Sequence, residues 1–218
     1  MSKTLRLPRA PWLDKLNISE VANALEECGT RFSVESINWP DKYPYRPLTV
    51  VTAAHSGTHI YVDFLVRCNF LRAVNYADNS PVSEDSCVEF FIEPRPGEPY
   101  RNIEMNCIGT ILAGTRRGRH DPERTRFSSD ELARIRRHAT VGTRPFQEIE
   151  GSFIWCVTAA IPLDLVGLEY KGVPLEVRGN FYKCASATSQ PHYLSWAPID
   201  SPEPDFHRPE FFGNITLE

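Results

Sequence analysis

The chain has 218 residues, of which 41% are hydrophobic and 18 are proline, and its formal net charge is −4. This length predicts one large domain over residues 1–218, and the proline share exceeds the usual ~5%, which excludes an all-helical bundle. The acidic balance argues against a dedicated nucleic-acid-binding protein. The sequence also has no run of 18 apolar residues, which argues against a membrane-spanning helix.

The N-terminal segment MSKTLRLPRAPWLDKLN lacks the apolar core of a secretory signal. The sequence as it stands therefore predicts a cytoplasmic protein, or a secreted or periplasmic one if a signal was removed. The six cysteines form no C-x-x-C pair, and most of them lie in apolar runs. These positions predict reduced, buried cysteines and no metal site.

Residues 17–29 are predicted to form a short helix within an N-terminal extension over residues 1–30. Asn17 and Glu20 have the spacing of a capping box, and Gly29 stands where a helix-ending glycine is common. A second helix is predicted at 128–138, where Ser128 and Glu131 have the same capping spacing.

Most of the remaining chain has the two-residue period of β-strands. In residues 58–67, Tyr61, Asp63 and Arg67 alternate with an apolar face, which predicts a half-buried strand. The apolar face of that strand consists of Ile60, Val62, Phe64 and Val66. Further strands are predicted at 48–54, 86–93, 101–112, 152–161 and 173–184. The sequence thus predicts a mainly all-β fold, an antiparallel β-sandwich with one or two short helical insertions.

Polar side chains on two of these strands are candidates for binding or catalysis. Asn102, Glu104 and Asn106 share one strand face and could hydrogen-bond sugar hydroxyls, or they could form a solvated outer surface. A glycosidase would instead need two carboxylates near the scissile bond. The candidates for such a pair are Glu84, Asp85, Glu89 and Glu104.

Two other segments stand out by composition. Residues 116–137 contain eight arginines and four acidic residues, which indicates either a solvated face or a contact surface for an anionic partner. The last quarter of the chain places seven aromatic rings among five prolines, and Trp196 lies at its centre. A proline-stiffened loop could present these rings for stacking or could close the sandwich core with them.

Five blocks of sequence, in order, resemble the family 9-like carbohydrate-binding modules, in particular the stand-alone bacterial branch common in Bacteroidetes. The blocks are DSCVEFFIEP at 85–94, YRNIEMNCIGTI at 100–111, GNFYKC at 179–184, HYLSWAPI at 192–199 and PDFHRPEFFG at 204–213. The resemblance implies an antiparallel β-sandwich that binds a sugar between two aromatic side chains. It also allows a structural calcium ion, although no acidic loop has a diagnostic calcium spacing.

The resemblance also implies a set of ligand-binding residues. Trp196 and Tyr76 are expected to stack on the sugar, while Glu84, Glu104 and Asn106 are expected to bind its hydroxyls. The branch's own blocks add three candidate pocket residues, which are Lys183, His192 and His207.

Non-catalytic carbohydrate binding is therefore the first functional hypothesis. It implies a mono- or oligosaccharide or a polysaccharide chain end as the partner, with no nucleic acid, membrane, catalytic residue or cofactor. The alternatives are a glycoside hydrolase or sugar-modifying enzyme and a protein-interaction scaffold that uses the arginine-rich segment. Neither the sugar nor the oligomeric state follows from the sequence.

Overall fold

A computed structural model describes residues 3–218 as two stacked β-sheets with a further layer on each outer face. The strands are β1 (Thr4–Leu7), β2 (Thr30–Ser33), β3 (Ser36–Ile37), β4 (Leu48–His55), β5 (His59–Ala73), β6 (Cys87–Glu93), β7 (Tyr100–Asn106), β8 (Ile111–Arg116), β9 (Thr125–Arg126), β10 (Arg136–Ala139), β11 (Phe146–Pro162), β12 (Leu175–Cys184), β13 (Tyr193–Ser195) and β14 (Gly213–Leu217). The α-helices are α1 (Ile18–Cys28) and α2 (Ser129–Arg134), and single 3₁₀ segments lie at Pro11–Lys15, Val82–Glu84 and Pro209–Phe211. In the part of the chain described, no helix has the length and apolar character needed to cross a bilayer.

The first sheet has the strand order β1-β14-β12-β6-β7-β8-β9, and β13 joins β12 to β3 at its side. The second sheet has the order β10-β11-β5-β4-β2. Every strand pair of the two sheets is antiparallel except β1 with β14, which run parallel. The predicted antiparallel sandwich is thereby confirmed.

The core lies between the two sheets and follows the alternation of apolar residues along the strands. Phe64 and Val66 of β5 face Phe90 of β6 and Phe181 of β12, and all four are fully buried. The rings of Phe90 and Phe181 stack with centroids 4.5 Å apart. The apolar face predicted from the sequence for residues 58–67 is therefore the core face of β5.

Helix α1 covers the outer face of the second sheet. Val21 and Leu25 of α1 pack with Tyr61 of β5, which is fully buried although a half-buried strand was predicted. Asn17 and Glu20 form the predicted capping box. Gly29 has φ of −88° rather than a left-handed conformation, and a Cβ there would lie 2.8 Å from the Leu25 carbonyl oxygen. Close packing therefore explains this glycine.

Two predicted elements end earlier than the sequence pattern indicates. The strand expected over 101–112 is divided into β7 and β8 by a turn at Gly109, whose φ is 80°. The helix expected over 128–138 begins after the predicted cap Ser128, ends at Arg134 and is followed by β10.

A C-terminal loop, residues 197–212, covers the outer face of the first sheet. It is held by Trp39, whose indole N–H donates to the Ser201 carbonyl at 2.7 Å, and by Tyr182, whose hydroxyl donates to the Phe206 carbonyl at 3.1 Å. The Phe206 ring also stacks on Tyr182 with centroids 4.2 Å apart. The loop is therefore built onto the sheet and closes its outer side with an aromatic cluster.

Candidate functional site

A pocket of about 220 Å³ lies between the outer face of the first sheet and the C-terminal loop, and we call it the outer pocket. Its floor consists of Glu89 on β6, Glu104 on β7 and Cys184 on β12, three strands that are adjacent in the sheet. Glu89 and Glu104 stand directly opposite each other in the strand register. The antiparallel pairing thus brings two carboxyl groups together on one surface.

The C-terminal loop supplies one wall of the outer pocket through Asp205, Phe206 and His207. Arg119 and Tyr193 lie at its edge, and the Arg119 Nε donates to Asp205 Oδ1 at 2.8 Å. This ion pair links the segment after β8 to the loop. The pocket therefore offers charged donors, carboxylate acceptors and aromatic rings within one small space.

His207 is fixed by neighbours on both ring nitrogens. The Arg116 guanidinium donates to His207 Nε2 at 3.1 Å, so that nitrogen must be an acceptor. The Nδ1–H then donates to the Tyr100 hydroxyl oxygen at 2.8 Å. Burial, followed by the nearby arginines, lowers the pKa of His207 to about 2. His207 is consequently a neutral side chain that stacks on Phe91, with centroids 5.1 Å apart.

A second pocket of about 260 Å³ adjoins the first and shares Ser83, Glu104 and His207 with it. Arg116 and Arg126 line this pocket, which we call the arginine pocket. Arg116 is only 9% exposed, and neither arginine has a carboxylate within 4.0 Å among residues 3–218. Two members of the arginine-rich segment thus line a cavity that also contains Glu104, without forming an ion pair within the described chain.

Burial dominates the chemistry of the pocket floor. It raises the pKa of the Glu89 and Glu104 carboxyl groups, because the charged forms lose water without gaining a close cation. Glu104 Oε1 accepts a hydrogen bond from Asn102 Nδ2 at 2.9 Å. The Cys184 thiol donates to Glu89 Oε1 at 3.1 Å. The floor therefore presents groups that can act as donors as well as acceptors.

Of the eight residues expected to bind ligand, the structure brings only Glu104 and His207 to the outer pocket. Trp196 is 3% exposed and packs in the core against Phe32 and Phe181, with ring centroids about 6 Å away. Its ring also lies against Gly213, where a Cβ would come within 2.5 Å of it. This placement corrects the expected stacking role of Trp196, since neither face of its ring is open to a ligand.

Asn106 is fully buried, and its side chain forms hydrogen bonds with Asp85 and with backbone groups. Its Nδ2 donates to Asp85 Oδ2 at 2.9 Å, and its Oδ1 accepts from the amides of Ile108 and Thr110. The Asp85 carboxylate also accepts from Arg72 at 2.9 Å. Asn106 and Asp85 are therefore corrected to structural roles that leave them no group for a sugar or for proton transfer.

Lys183 and His192 lie on the opposite side of the first sheet from the outer pocket. The Lys183 ammonium donates to the Cys184 carbonyl at 2.7 Å and to His192 Nε2 at 2.9 Å, and it faces the ring of Trp155. His192 Nδ1 donates to the Gln190 carbonyl at 2.7 Å. Both residues are at most 3% exposed, so their expected place in a ligand pocket is corrected to an internal network.

Glu84 and Tyr76 are near the surface but do not line the outer pocket. The Glu84 carbonyl accepts from Arg72 at 3.2 Å, whereas Ser83 beside it reaches the pocket. Tyr76 is 72% exposed and borders a separate shallow depression with Phe146. The structure therefore does not bring an aromatic pair of Tyr76 and Trp196 around one ligand.

The outer pocket also contains residues that the sequence did not single out as ligands. In the sequence, Glu89 is a candidate only for catalysis, Arg119 belongs to the arginine-rich segment, Tyr193 is one of the seven C-terminal rings, and Asp205 has no predicted role. The signal that could have found most of them is the set of five blocks that carry the resemblance. Each block contributes at least one lining residue to the pocket, namely Glu89, Glu104, Cys184, Tyr193 and the Asp205–His207 run.

One group of side chains in the described chain, residues 3–218, could hold a metal ion. The ligand atoms of Cys87, Glu89 and Cys184 lie within 4.8 Å of one another, and all three residues are buried. The set contains two sulfur atoms, which calcium does not use, since it binds oxygen ligands.

Comparisons with solved structures support the fold over the whole chain. A Bacteroides uniformis ATCC 8492 protein described as carbohydrate-binding is 32% identical, with a TM-score of 0.93 and 100% of both chains covered. Two structures of a family 9 carbohydrate-binding module from Caldicellulosiruptor kristjanssonii share the fold at 12% and 14% identity. These two were solved with cellotriose and with glucose, and their TM-scores are 0.56 and 0.53. The alignments cover 99% of this chain and 94% and 96% of theirs.

No curated protein matches the chain. The model of carbohydrate-binding family 9, however, matches residues 20–217, which are nearly the whole length and include all five sequence blocks. The chain belongs to carbohydrate-binding family 9.

Proposed function

We propose that the chain is a non-catalytic carbohydrate-binding protein whose ligand occupies the outer pocket. The observation that carries this proposal is the meeting of all five family-like blocks in that pocket, although they are far apart in the sequence. The volume of about 220 Å³ is below the ~300–1,000 Å³ of pockets for drug-sized ligands. A single sugar ring, or the terminal ring of a chain, is the ligand of matching size.

The polar groups of the outer pocket suit sugar hydroxyls, which donate and accept hydrogen bonds at the same time. Glu104 and Asp205 offer acceptors, and Arg119 offers guanidinium donors beside them. Hydrogen bonds to such charged groups contribute about 1.5–3 kcal/mol each. The small number of groups favours recognition of one ring in one orientation.

The rings of Tyr193 and Phe206 border the same pocket. They are 6.0 Å apart and meet edge to face at 72°. An aromatic face gives the apolar C–H face of a sugar ring a contact surface. Phe206 is 6% exposed and one face of its ring is covered by Tyr182, so in this proposal Tyr193 takes the stacking role that was expected of Trp196 and Tyr76.

The arrangement of the carboxyl groups favours binding over hydrolysis. Glycosidases place their two carboxyl groups on either side of the scissile bond. Glu89 and Glu104 instead stand side by side on neighbouring strands of one floor. We therefore expect no hydrolysis of aryl glycosides, and turnover that disappears in Glu89→Gln would favour the enzymatic alternative instead.

Most arginines of the 116–137 segment are engaged within the chain, which weighs against a scaffold role for it. Arg134 pairs with Asp164 at 2.6 Å, Arg137 pairs with Asp78 at 3.2 Å, and Arg136 donates to the Leu16 carbonyl. We therefore expect charge reversal at these three positions to destabilise the fold. We do not expect it to abolish binding of a specific protein partner.

Calorimetric titration with a panel of monosaccharides and oligosaccharides tests the proposed site. Glu104→Ala is expected to weaken binding by about 10- to 100-fold, because one charged hydrogen-bonding partner is lost. Glu150→Ala is the matched control, since Glu150 is an exposed glutamate on β11 in the other sheet.

Tyr76→Ala completes the test, and we expect it to bind like the wild type. If Tyr76→Ala weakens binding while Glu104→Ala does not, the ligand lies in the depression beside Tyr76 and the outer pocket is not the site.

A further inference from the structure

At the floor of the outer pocket, two thiols and one carboxyl group form a compact cluster, of which Glu89 and Cys184 line the pocket and Cys87 lies beside them. Cys87 on β6 and Cys184 on β12 stand directly opposite each other, and Glu89 follows two residues later on the same face of β6. Cys184 Sγ lies 3.1 Å from Glu89 Oε1, and one ligand atom from each residue falls within 4.8 Å of the others.

This group has no cation to balance it. Glu89 is 3% exposed, and within residues 3–218 no Lys, Arg or His nitrogen lies within 4.0 Å of its carboxylate. The next glutamate on β6, Glu93, is by contrast paired with Arg178 at 3.0 Å. Buried carboxylates are paired or coordinate metals, because an isolated buried charge is very costly. The cluster therefore has the character of a cation site.

We propose that Cys87, Glu89 and Cys184 bind a zinc ion. Zinc takes Cys sulfur at about 2.3 Å and carboxylate oxygen at about 2.0–2.2 Å, and three protein ligands leave its fourth tetrahedral position open. Thiolate ligands select zinc over magnesium or calcium. Cys184 and Glu89 both line the outer pocket, so the open position faces that pocket.

Charge balance follows from the ligand chemistry. The two thiols lose their protons to solvent when zinc binds, as does Glu89 where it is protonated. Two thiolates and one carboxylate carry three negative charges against the two positive charges of the ion. The remaining negative charge lies across the pocket from Arg119, which is itself paired with Asp205 at 2.8 Å.

The ligand atoms are close to the required spacing without a change in the backbone. Two ligands of a tetrahedral zinc ion lie about 3.3–3.8 Å apart, given the bond lengths above. The observed atoms lie within 4.8 Å of one another, so only small shifts are needed to reach coordination distance. Adjacent β-strands hold the two cysteines, which provides a rigid support.

The zinc proposal does not rest on carbohydrate binding, and its experiment uses no sugar. The purified full chain, reduced and stripped with a chelator, is titrated with zinc chloride against a chromophoric competitor. We expect one equivalent to bind with a Kd below about 1 µM. Cobalt chloride is the second probe, and thiolate ligation is expected to produce a sulfur-to-cobalt charge-transfer band.

Variants identify the ligands. We expect a large loss of zinc affinity in each of three variants, Cys87→Ser, Cys184→Ser and Glu89→Gln. Loss of a residue that only supports a metal ligand costs about 10- to 100-fold in affinity, and the loss of a ligand itself should exceed this. Cys156→Ser is the control, because Cys156 is a partly exposed cysteine on β11 outside the cluster.

Three results would each overturn the zinc site. The first is that the chain takes up less than one equivalent of zinc, and the second is that Cys184→Ser and Cys156→Ser bind zinc with equal affinity. The third is a cobalt spectrum without the charge-transfer band. Uptake of no metal by the reduced chain, together with a Cys87–Cys184 disulfide in air, would also overturn it. If a serine variant fails to fold, Glu89→Gln and the cobalt spectrum of the wild type still decide the question.

Discussion

Trp196 and Tyr193 show how one short block divides its side chains between two environments. In HYLSWAPI, Tyr193 borders the outer pocket, while Trp196, just after β13, turns into the core against Phe181. The tryptophan is the more conspicuous residue in the sequence. Its ring is nevertheless enclosed, so it contributes to stability and Tyr193 is the ring available to a ligand.

Trp196→Ala is expected to lower the free energy of unfolding by about 3–5 kcal/mol, because the substitution leaves a large cavity in the core. Urea denaturation measures this change. Tyr76→Ala is the matched control, since Tyr76 is 72% exposed, and its effect should remain within about 0.5 kcal/mol. Equal stability of the two variants would contradict the packing of Trp196.

At the scale of secondary-structure elements, helix α1 changes the outer face of the second sheet from a solvated to a buried surface. Asp63 of β5 is 6% exposed and accepts a hydrogen bond from the Thr158 hydroxyl at 2.7 Å. Burial, with a further contribution from Glu26 of α1, raises the pKa of Asp63 to about 6. An aspartate beneath a helix is thus a pH-sensitive feature of the fold.

The sign of this effect follows from proton linkage. The folded chain holds the Asp63 proton up to a higher pH than the unfolded chain, whose aspartate has a pKa of 3.8. Stability is therefore lost as the pH rises from about 4 to above 6. We expect Asp63→Asn to match the wild type near pH 4 and to exceed its stability by about 3 kcal/mol near pH 7.

Urea denaturation across that pH range measures the difference between Asp63→Asn and the wild type. Asp41→Asn, at an exposed position, is the control and should show no such trend. A constant difference between Asp63→Asn and the wild type at all pH values would contradict the raised pKa.

Strand β5 also shows which structural features a sequence pattern can predict. The alternation of Ile60, Val62 and Phe64 identifies the core face of β5, since a strand places every second residue on one side. The same pattern could not reveal that Tyr61 is buried on the other side. Polar and aromatic residues suit a covered face as well as an exposed one, so only the position of α1 distinguishes the two.

At the scale of the whole molecule, the outer pocket depends on strand order and on the C-terminal loop. Glu89, Cys184 and His207 are distant in the sequence, and the sheet brings them together. The resemblance to a family could identify the blocks, but it could not determine which residue of each block faces the pocket. That depends on strand register and on the loop, which local sequence patterns do not contain.

The folded chain also shows what the proline-rich C-terminal loop does. The loop closes the sheet with Phe206 and Phe212 and forms a pocket wall with Asp205 and His207. The loop therefore closes the core and also forms the wall of the pocket in which we propose that the ligand binds. One side of the loop packs on the sheet, and the pocket lies at its edge.

The hydrogen bond from Trp39 to the Ser201 carbonyl ties the pocket wall to the segment after β3, and we expect the wall to open locally while the sandwich stays folded. Trp39→Phe removes this tie, and the loss of about 1 kcal/mol should increase hydrogen exchange of amides in 201–206 by about fivefold. Amides of β5 and β11 should exchange as before, because their sheet lies on the far side of the core. Mass spectrometry measures both regions, and a uniform increase would show that the wall opens only when the whole sandwich unfolds.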